Sequence, residues 1–186
     1  MINNIIDDII RREGGFVNHQ NDTGGATNFG ITQRTLEAYR NRKVSIEEIR
    51  NLSKEEAFKI YYSEYVKRPK FDLINDTLLQ ELVIDTGVHS GTHRATIFLQ
   101  EVAGVEADGL IGPITIEAVN SKELFIPYFN KRMVFLAQLI TRDNKQAVFA
   151  HGWYNRLSEF LLRYQKPAYN NILENWLNKL LVFFEK

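Results

Sequence analysis

The first residues of the chain most constrain its fold, because their isoleucines recur with the period of a helix. Five isoleucines stand at the i, i+3, i+4, i+7, i+8 spacing, and they are Ile2, Ile5, Ile6, Ile9 and Ile10. Such spacing places side chains on one face of an α-helix. Gly14 and Gly15 follow, and glycine commonly ends helices. The chain is therefore predicted to begin with an amphipathic helix that stops at Glu13.

Most of the remaining chain has the same helical period. Helices are predicted over 32–40, 53–66, 75–91, 92–104, 113–119, 121–142, 152–164 and 168–185. Thr32 and Ser53 stand where N-caps belong, and Glu56 would complete a capping box with Ser53. No segment clearly alternates as a strand does, although "TGGATNFGI" at 23–31 favours a short hairpin. The pattern predicts a mainly α protein.

Composition excludes several classes of function. Lys+Arg and Asp+Glu both total 23, and without a basic stripe we expect no binding to nucleic acid. The chain has no cysteine, which excludes disulfides and thiolate zinc sites. Its start, "MINNIIDDIIRR", does not resemble a secretory signal. We therefore expect synthesis in the cytoplasm without a signal peptide, with a separate route outward if the protein acts elsewhere.

Two carboxylates stand in unlike positions around the glycine-rich loop. Glu13 follows Ile9 and Ile10 by helical spacing, so we expect it on the buried face at the helix C-terminus. Burial and the helix dipole both favour a neutral carboxyl, which suits a general acid. Asp22 lies in a polar loop that favours an ionised carboxylate. Such a pair suits glycoside hydrolysis. The alternative is that Glu13 is a surface residue at a helix end and that the glycines only form turns.

The stretch "EGGFVNHQNDTGGATNFGITQRTL" closely resembles the signature of glycoside hydrolase family 108. These muramidases include phage endolysins and secretion-associated wall hydrolases. The resemblance implies a lysozyme-like, two-lobed, mainly α fold with a small hairpin near the active site. It also implies cleavage of the β-1,4 bond between N-acetylmuramic acid and N-acetylglucosamine in peptidoglycan, with Glu13 as the catalytic acid and without a cofactor.

The same stretch is similar to the Glu, Asp, Thr arrangement of phage-type lysozymes. Eight residues separate Glu13 from Asp22, and four separate Asp22 from Thr27, one fewer than is usual. The resemblance implies that Asp22 is the base or the electrostatic partner and that Thr27 orients the attacking water. It also favours inversion at the anomeric carbon.

Substrate-binding residues are expected on both sides of the chain's midpoint. Gly14 and Gly15 permit the close backbone approach that a sugar-binding cleft requires. Asn28 lies in the same signature. Trp153 and Asn155 belong to "GWYNRL", which is similar to the C-terminal half of this family. We expect all five residues to contribute to substrate binding.

The second half resembles peptidoglycan-binding modules, in which Leu-Gln precedes an Asp-Gly-x-x-Gly-Pro turn. The matching residues are Leu99, Gln100, Asp108, Gly109, Gly112 and Pro113. Two interpretations stay open. The turn binds the wall directly, or it only caps a helix of a second lobe of one cleft. The predicted domains are 1–91 (catalytic), 92–166 (peptidoglycan-binding-like) and 167–186 (an amphipathic helix).

A metal site is a further possibility that the sequence raises. Asp85, His89 and His93 recur at helical spacing, but Gly91 is expected to end their helix. We therefore predict no metal.

The predicted C-terminal helix, 168–185, has two interpretations. Its apolar stripe favours packing on its own domain, and contact with a bacterial membrane is the alternative.

We expect a monomer whose partner is bacterial peptidoglycan, acting in the periplasm or after release. The rival functions are a wall-binding protein without catalysis and a membrane-perturbing protein.

Overall fold

The computed structural model describes residues 2–18 and 25–164, and most of them are helical. The helices are α1 (Ile2–Glu13), α2 (Gln33–Arg40), α3 (Ile46–Arg50), α4 (Lys54–Tyr62), α5 (Thr77–Ser90), α6 (Thr92–Ala103), α7 (Pro113–Asn120), α8 (Phe125–Arg142) and α9 (150–164). The strands β1 (Thr27–Asn28) and β2 (Ile31–Thr32) pair antiparallel. The mainly α, lysozyme-like fold with a small hairpin is confirmed. The predicted helix 168–185 lies outside the described residues.

Three shorter helical turns complete the described elements. A π-helical turn, Ser63–Lys67, continues α4 directly, and a 3-10 turn, Phe71–Leu73, precedes α5. A second 3-10 turn, Asn144–Phe149, leads into α9. None of the helices within the described ranges has the length and apolarity needed to cross a membrane.

The chain divides into two compact units, Met1–Leu124 and Phe125–Lys186. In the first unit α5 is the central helix, and it packs against α1 and α6. Its residues from Leu79 to Gly87 are all buried, so it has no solvent-facing side along that stretch. The buried stretch includes the polar or charged side chains of Gln80, Glu81 and Asp85 as well as apolar ones.

The isoleucine stripe of α1 forms part of the same core. Ile5, Ile6, Ile9 and Ile10 are buried, and α1 packs against α4 and α5. Full burial of a side chain such as Ile6 contributes roughly 1.5–3 kcal/mol. The chain leaves α1 through Gly14, whose φ of 78° is left-handed. The predicted helix and its glycine stop are confirmed.

Side-chain caps fix the helices around the hairpin. The Thr32 hydroxyl accepts from the Thr35 amide, as predicted. Ser53 likewise accepts from the Glu56 amide, but the Glu56 carboxylate accepts from Arg40. The complete capping box occurs instead at Ser45, which begins the short helix α3 that the sequence analysis missed.

The second unit is held by aromatic contacts between its first and last described helices. Phe125 and Phe129 of α8 are buried, and the Phe125 ring stacks on Tyr164 with centroids 4.6 Å apart. Leu157 and Phe160 of α9 are also buried. The unit therefore has an apolar core of its own.

Candidate active site

Glu13 is the last residue of α1, and its side chain is exposed. The prediction that it lies on the buried face is wrong. The chain turns out of the helix at Gly14 (φ 78°), so the burial of the isoleucine stripe does not extend to this carboxylate. An exposed carboxylate at this position is accessible to a substrate.

The hairpin that follows is closed by two residues with positive φ. Phe29 has a φ of 52° and Gly30 a φ of 74°, which matches the twist of a two-residue hairpin turn. Val17 extends the pairing, because its N–H donates to Thr27 O and its carbonyl accepts from Thr27 N, both at 2.8 Å. Half-buried Thr27 is therefore paired with Thr32 of the hairpin and with Val17 of the segment after α1.

Asn28 fastens this hairpin to α3. Its side chain is 4% exposed, and Nδ2 donates to the backbone carbonyls of Ile49 and Arg50 at 3.0 Å each. This use of the amide is structural. The predicted contribution of Asn28 to substrate binding stays a prediction.

Glu13 lies against the hairpin turn together with a tyrosine, an arrangement we name the Glu13 corner (Glu13, Gly30 and Tyr61). A Cβ on Gly30 would lie 2.9 Å from Glu13 Oε2 and 2.7 Å from Tyr61 Oη. The Tyr61 hydroxyl donates to Phe29 O at 2.9 Å. Only glycine leaves room for the carboxylate and the phenol against this turn.

Tyr65 connects the Glu13 corner with a cleft. Its ring centroid lies 5.4 Å from that of Tyr61. Burial raises the pKa of the Tyr65 phenol, and the nearby carboxylates of Glu64 and Glu13 raise it further. Glu13 is therefore close enough to Tyr65 to act on it electrostatically.

The cleft lies in the first unit and has a volume of about 550 Å³, within the range of ligand-binding sites. Its lining residues come from α2, from the π-helical turn and from the start of α6, and they are Arg34, Thr35, Ala38, Tyr39, Glu64, Tyr65, Arg68, Gly91 and Thr92. We call it the main cleft. A π-helical turn after α4 is a local irregularity of the kind that often marks functional sites, and here it supplies Glu64 and Tyr65.

The sequence analysis missed Tyr61, Tyr65 and the role of Gly30. The sequence did contain a signal for Gly30, because "NFG" is typical of a hairpin turn whose glycine has a positive φ. The two tyrosines carried none, since their i, i+4 spacing on a helix is equally typical of core packing.

The other predicted site residues belong to three different parts of the chain. Asp22 lies outside the described residues, in the stretch 19–24. Gly14 and Gly15 are exposed, and a Cβ on either would meet no atom within 4 Å, so the described surface beside them is open. Trp153 and Asn155 lie on α9 of the second unit. The roles of all five stay predictions.

The motif of the second half forms a closed turn, which we name the Gln100 turn (Gln100, Asp108, Gly109 and Leu110). Gln100 is 1% exposed, and its Nε2 donates to Asp108 Oδ1 at 2.7 Å and to Leu110 O at 3.0 Å. Its Oε1 accepts from the Gly109 amide at 2.8 Å. The Leu110 amide donates to Asp108 Oδ1, and this bond and the Gln100 amide lower the pKa of Asp108. The motif residues serve the turn itself, and direct wall binding by them stays a prediction.

The three residues considered for a metal site fall on two helices. Gly91 ends α5 as expected, so His93 belongs to α6. Asp85 and His89 form an i, i+4 pair with 3.9 Å between Oδ1 and Nε2. Within residues 2–18 and 25–164 no group of three His, Cys, Asp or Glu side chains is arranged to hold a metal ion.

Comparisons with known proteins agree with this geometry. The family model described as "Glycosyl hydrolase 108" matches residues 6–91, which contain the Glu13 corner. The model described as "Predicted Peptidoglycan domain" matches residues 94–158, which contain the Gln100 turn. The limits 1–91, 92–166 and 167–186 stay predictions.

A solved structure is similar over most of the chain. The structure of Brucella abortus SagA has 35% sequence identity and a TM-score of 0.72, and the alignment covers 86% of this chain and 91% of that one. No curated protein matches the chain. The chain therefore belongs to glycosyl hydrolase family 108 and is a glycoside hydrolase that acts on peptidoglycan.

Proposed function

We propose that the protein is an N-acetylmuramidase, with lysozyme activity, that hydrolyses the β-1,4 bond between N-acetylmuramic acid and N-acetylglucosamine. The observation that carries the proposal is the position of Glu13, which is exposed against the Gly30 turn and close to Tyr65 of the main cleft. A carboxyl close to Tyr65, which lines a cleft of this volume, is placed to protonate the glycosidic oxygen of a glycan bound there.

In this mechanism Glu13 donates its proton to the oxygen of the leaving sugar as the glycosidic bond breaks. Asp22 removes a proton from the attacking water, or stabilises the positive charge that develops on the anomeric carbon. The Thr27 hydroxyl orients that water. Before the next turnover Glu13 regains a proton from solvent, and Asp22 releases to solvent the proton that it took from the water.

We favour inversion, in which water attacks the face opposite the leaving group. An inverting enzyme acting on a β bond releases the α-anomer first, and a retaining enzyme releases the β-anomer. NMR of the first product distinguishes them, and an initial β-anomer would overturn this part of the proposal.

The biological role that we favour is lysis of the host by a phage or prophage endolysin. The enzyme would act as a monomer on the wall in the periplasm or after release. Secretion-associated wall remodelling is the second candidate, because the same family serves it.

Contact of the C-terminal residues with a bacterial membrane is an additional proposal, and deleting 168–186 would test it through loss of whole-cell activity with the fold retained.

The test is the release of new reducing ends from purified peptidoglycan, with the products identified by mass spectrometry. We expect wild-type protein to release muropeptides with reducing N-acetylmuramic acid ends. Glu13→Gln should lose that activity by about 100-fold or more, because it removes the proton donor. Thermal unfolding of the variant should match that of the wild type.

Glu106→Gln is the matched control, because Glu106 is another exposed glutamate of the first unit and lines neither the Glu13 corner nor the main cleft. It should retain wild-type activity. If the wild type sediments with peptidoglycan but releases no reducing ends, the result would favour the rival function, a wall-binding protein without catalysis.

A further inference from the structure

A second cleft adjoins the main cleft on the first unit. It has a volume of about 360 Å³ and is lined by Arg68, Pro69, Lys70, Thr92, His93, Thr96, Gly109, Leu110 and Ile111. Arg68 and Thr92 line both clefts. The second cleft therefore begins where the main cleft ends, on the side that holds the Gln100 turn.

The two clefts share an excess of positive charge that the whole chain lacks. Their lining residues include Arg34, Arg68 and Lys70, and Glu64 is the one carboxylate among the lining residues that the structure describes. The chain as a whole has 23 basic and 23 acidic residues. A local excess of cations on a neutral protein favours an anionic ligand at that place.

The second cleft has fixed walls. Lys70 Nζ donates to Ile111 O at 3.0 Å, which fastens the segment after the π-helical turn to the turn after α6. The His93 ring packs directly against Gly109, where a Cβ would overlap it. Gln100 in turn holds Gly109 through the amide bond described above. These contacts keep the two sides of the cleft at a constant separation.

Arg68 is the cation best placed to bind a carboxylate. Its side chain is 79% exposed, and Nη1 donates to Glu64 Oε2 at 2.8 Å. A guanidinium has five N–H donors in a planar fork that matches a carboxylate. Since Arg68 stands at the junction of the clefts, a ligand that it binds would lie beside a glycan in the main cleft.

We propose that the second cleft binds the peptide stem of peptidoglycan, with Arg68 and Lys70 recognising its carboxylates. The inference rests on the proposed muramidase function. The sugar rings of the glycan are uncharged, and the free carboxylates of the polymer are on its stems. The stem leaves the glycan at N-acetylmuramic acid, the sugar whose bond the enzyme would cleave, so stem and scissile bond reach the enzyme together.

The test compares two substrates, soluble uncross-linked glycan strands with their stems and the same strands after an amidase has removed the stems and the lactyl carboxylates freed by that cleavage have been capped as methylamides. We expect Arg68→Gln to raise KM for the strands with stems by about 3- to 10-fold, as for loss of a partly exposed charged hydrogen bond. For the stripped strands the rise in KM should be smaller, because Arg68 lines the main cleft as well but finds no stem carboxylate on them.

Lys43→Gln is the control, because Lys43 is 93% exposed, pairs with Glu37 at 3.2 Å and lines neither cleft. It removes the same charge and should change neither KM. An equal KM shift of Arg68→Gln on both substrates, or no shift on either, would overturn the proposal. Thermal unfolding should show that both variants are folded.

A binding measurement keeps the inference testable if no strand is cleaved. A stem tetrapeptide with free carboxylates should shift the amide NMR signals of Lys70 and Thr92 in the wild type, and Arg68→Gln should weaken that binding several-fold. Peptide binding without reducing ends would contradict the muramidase function alone. Reducing ends without peptide binding would contradict the stem site alone.

Discussion

Two tight turns of the first unit resemble each other in backbone and differ in use. The hairpin turn has Gly30 at a φ of 74°, and the Gln100 turn has Gly109 at a φ of 78°. Each glycine is covered by a side chain that a Cβ would overlap, the Tyr61 phenol in one case and the His93 ring in the other. The backbone alone therefore does not separate the turn beside the proposed catalytic acid from a structural turn.

The polar groups beside each glycine do separate them. Next to Gly30 the carboxylate of Glu13 is exposed. Next to Gly109 the polar groups bond to one another, since buried Gln100 accepts from the Gly109 amide and donates to Asp108. A group whose hydrogen bonds are satisfied internally stabilises the fold, and an exposed one at a cleft is available for chemistry.

Of the substitutions within the two turns, Gly30→Ala is expected to have the largest effect, and that effect is on activity. The added Cβ would overlap Glu13 and Tyr61, and a misplaced catalytic group costs up to about 100-fold in rate. We expect kcat to fall about 10- to 100-fold, and the free energy of unfolding to fall by about 1–2 kcal/mol because alanine disfavours a positive φ. Reducing-end kinetics and urea unfolding measure the two quantities.

Gly109→Ala is the matched control for that prediction, because it adds the same methyl group at a similar φ. It should lower the free energy of unfolding by a comparable amount and leave kcat for stem-free strands within about twofold. Equal loss of kcat in both variants would show that the two turns do not differ as argued.

A smaller effect, on stability, is expected from Gln100→Ala. The substitution removes one acceptor and two N–H donors from a buried site, and with them the bonds to Gly109, Asp108 and Leu110. Unsatisfied buried groups and a cavity together cost about 2–4 kcal/mol. Urea unfolding measures the loss, and the folded variant should still cleave stem-free strands at the wild-type rate.

Gln138→Ala provides the reference for this change, because Gln138 is exposed on α8. Its free energy of unfolding should stay within about 0.5 kcal/mol of the wild type. A loss below about 1 kcal/mol for Gln100→Ala would mean that the turn is held by other contacts.

Sequence reasoning predicted the helices well because their signals are local. The spacing of the α1 isoleucines, the Thr32 cap and Pro113 at the first position of α7 each act within one or two helical turns. The hairpin over 23–31 was also predicted, and its pairing is Thr27–Thr32 and Asn28–Ile31. The role of Glu13 as the catalytic acid was predicted from its motif and its family resemblance, and it stays a prediction.

What sequence could not supply is the environment of Glu13. Its burial was expected because it follows Ile9 and Ile10 at helical spacing. Helical spacing does not show how far along α1 other residues cover the helix, and the chain turns out of the helix at Gly14. Tyr61 reaches Phe29 across 32 positions of sequence, and no local pattern encodes such a contact. The same is true of Arg68 and Thr92, which line both clefts although they are far apart in the sequence.

The smallest expected effect is the pH dependence of stability from Asp108. The hydrogen bond from the Leu110 amide, and then the bond from Gln100, hold the pKa of this carboxyl below its ordinary value of 3.8. A carboxyl whose folded pKa is lowered stabilises the protein above its unfolded pKa, and the contribution is lost as pH falls through the folded value. Asp108→Asn should therefore reduce the loss of thermal stability between about pH 4 and about pH 2. In the Gln100→Ala background the same substitution should have less effect, because one of the two bonds is already gone. If Asp108→Asn has the same effect in the Gln100→Ala background as in the wild type, the Leu110 amide alone lowers the pKa of Asp108. The difference between the two turns would then depend on Gly109 and not on Gln100.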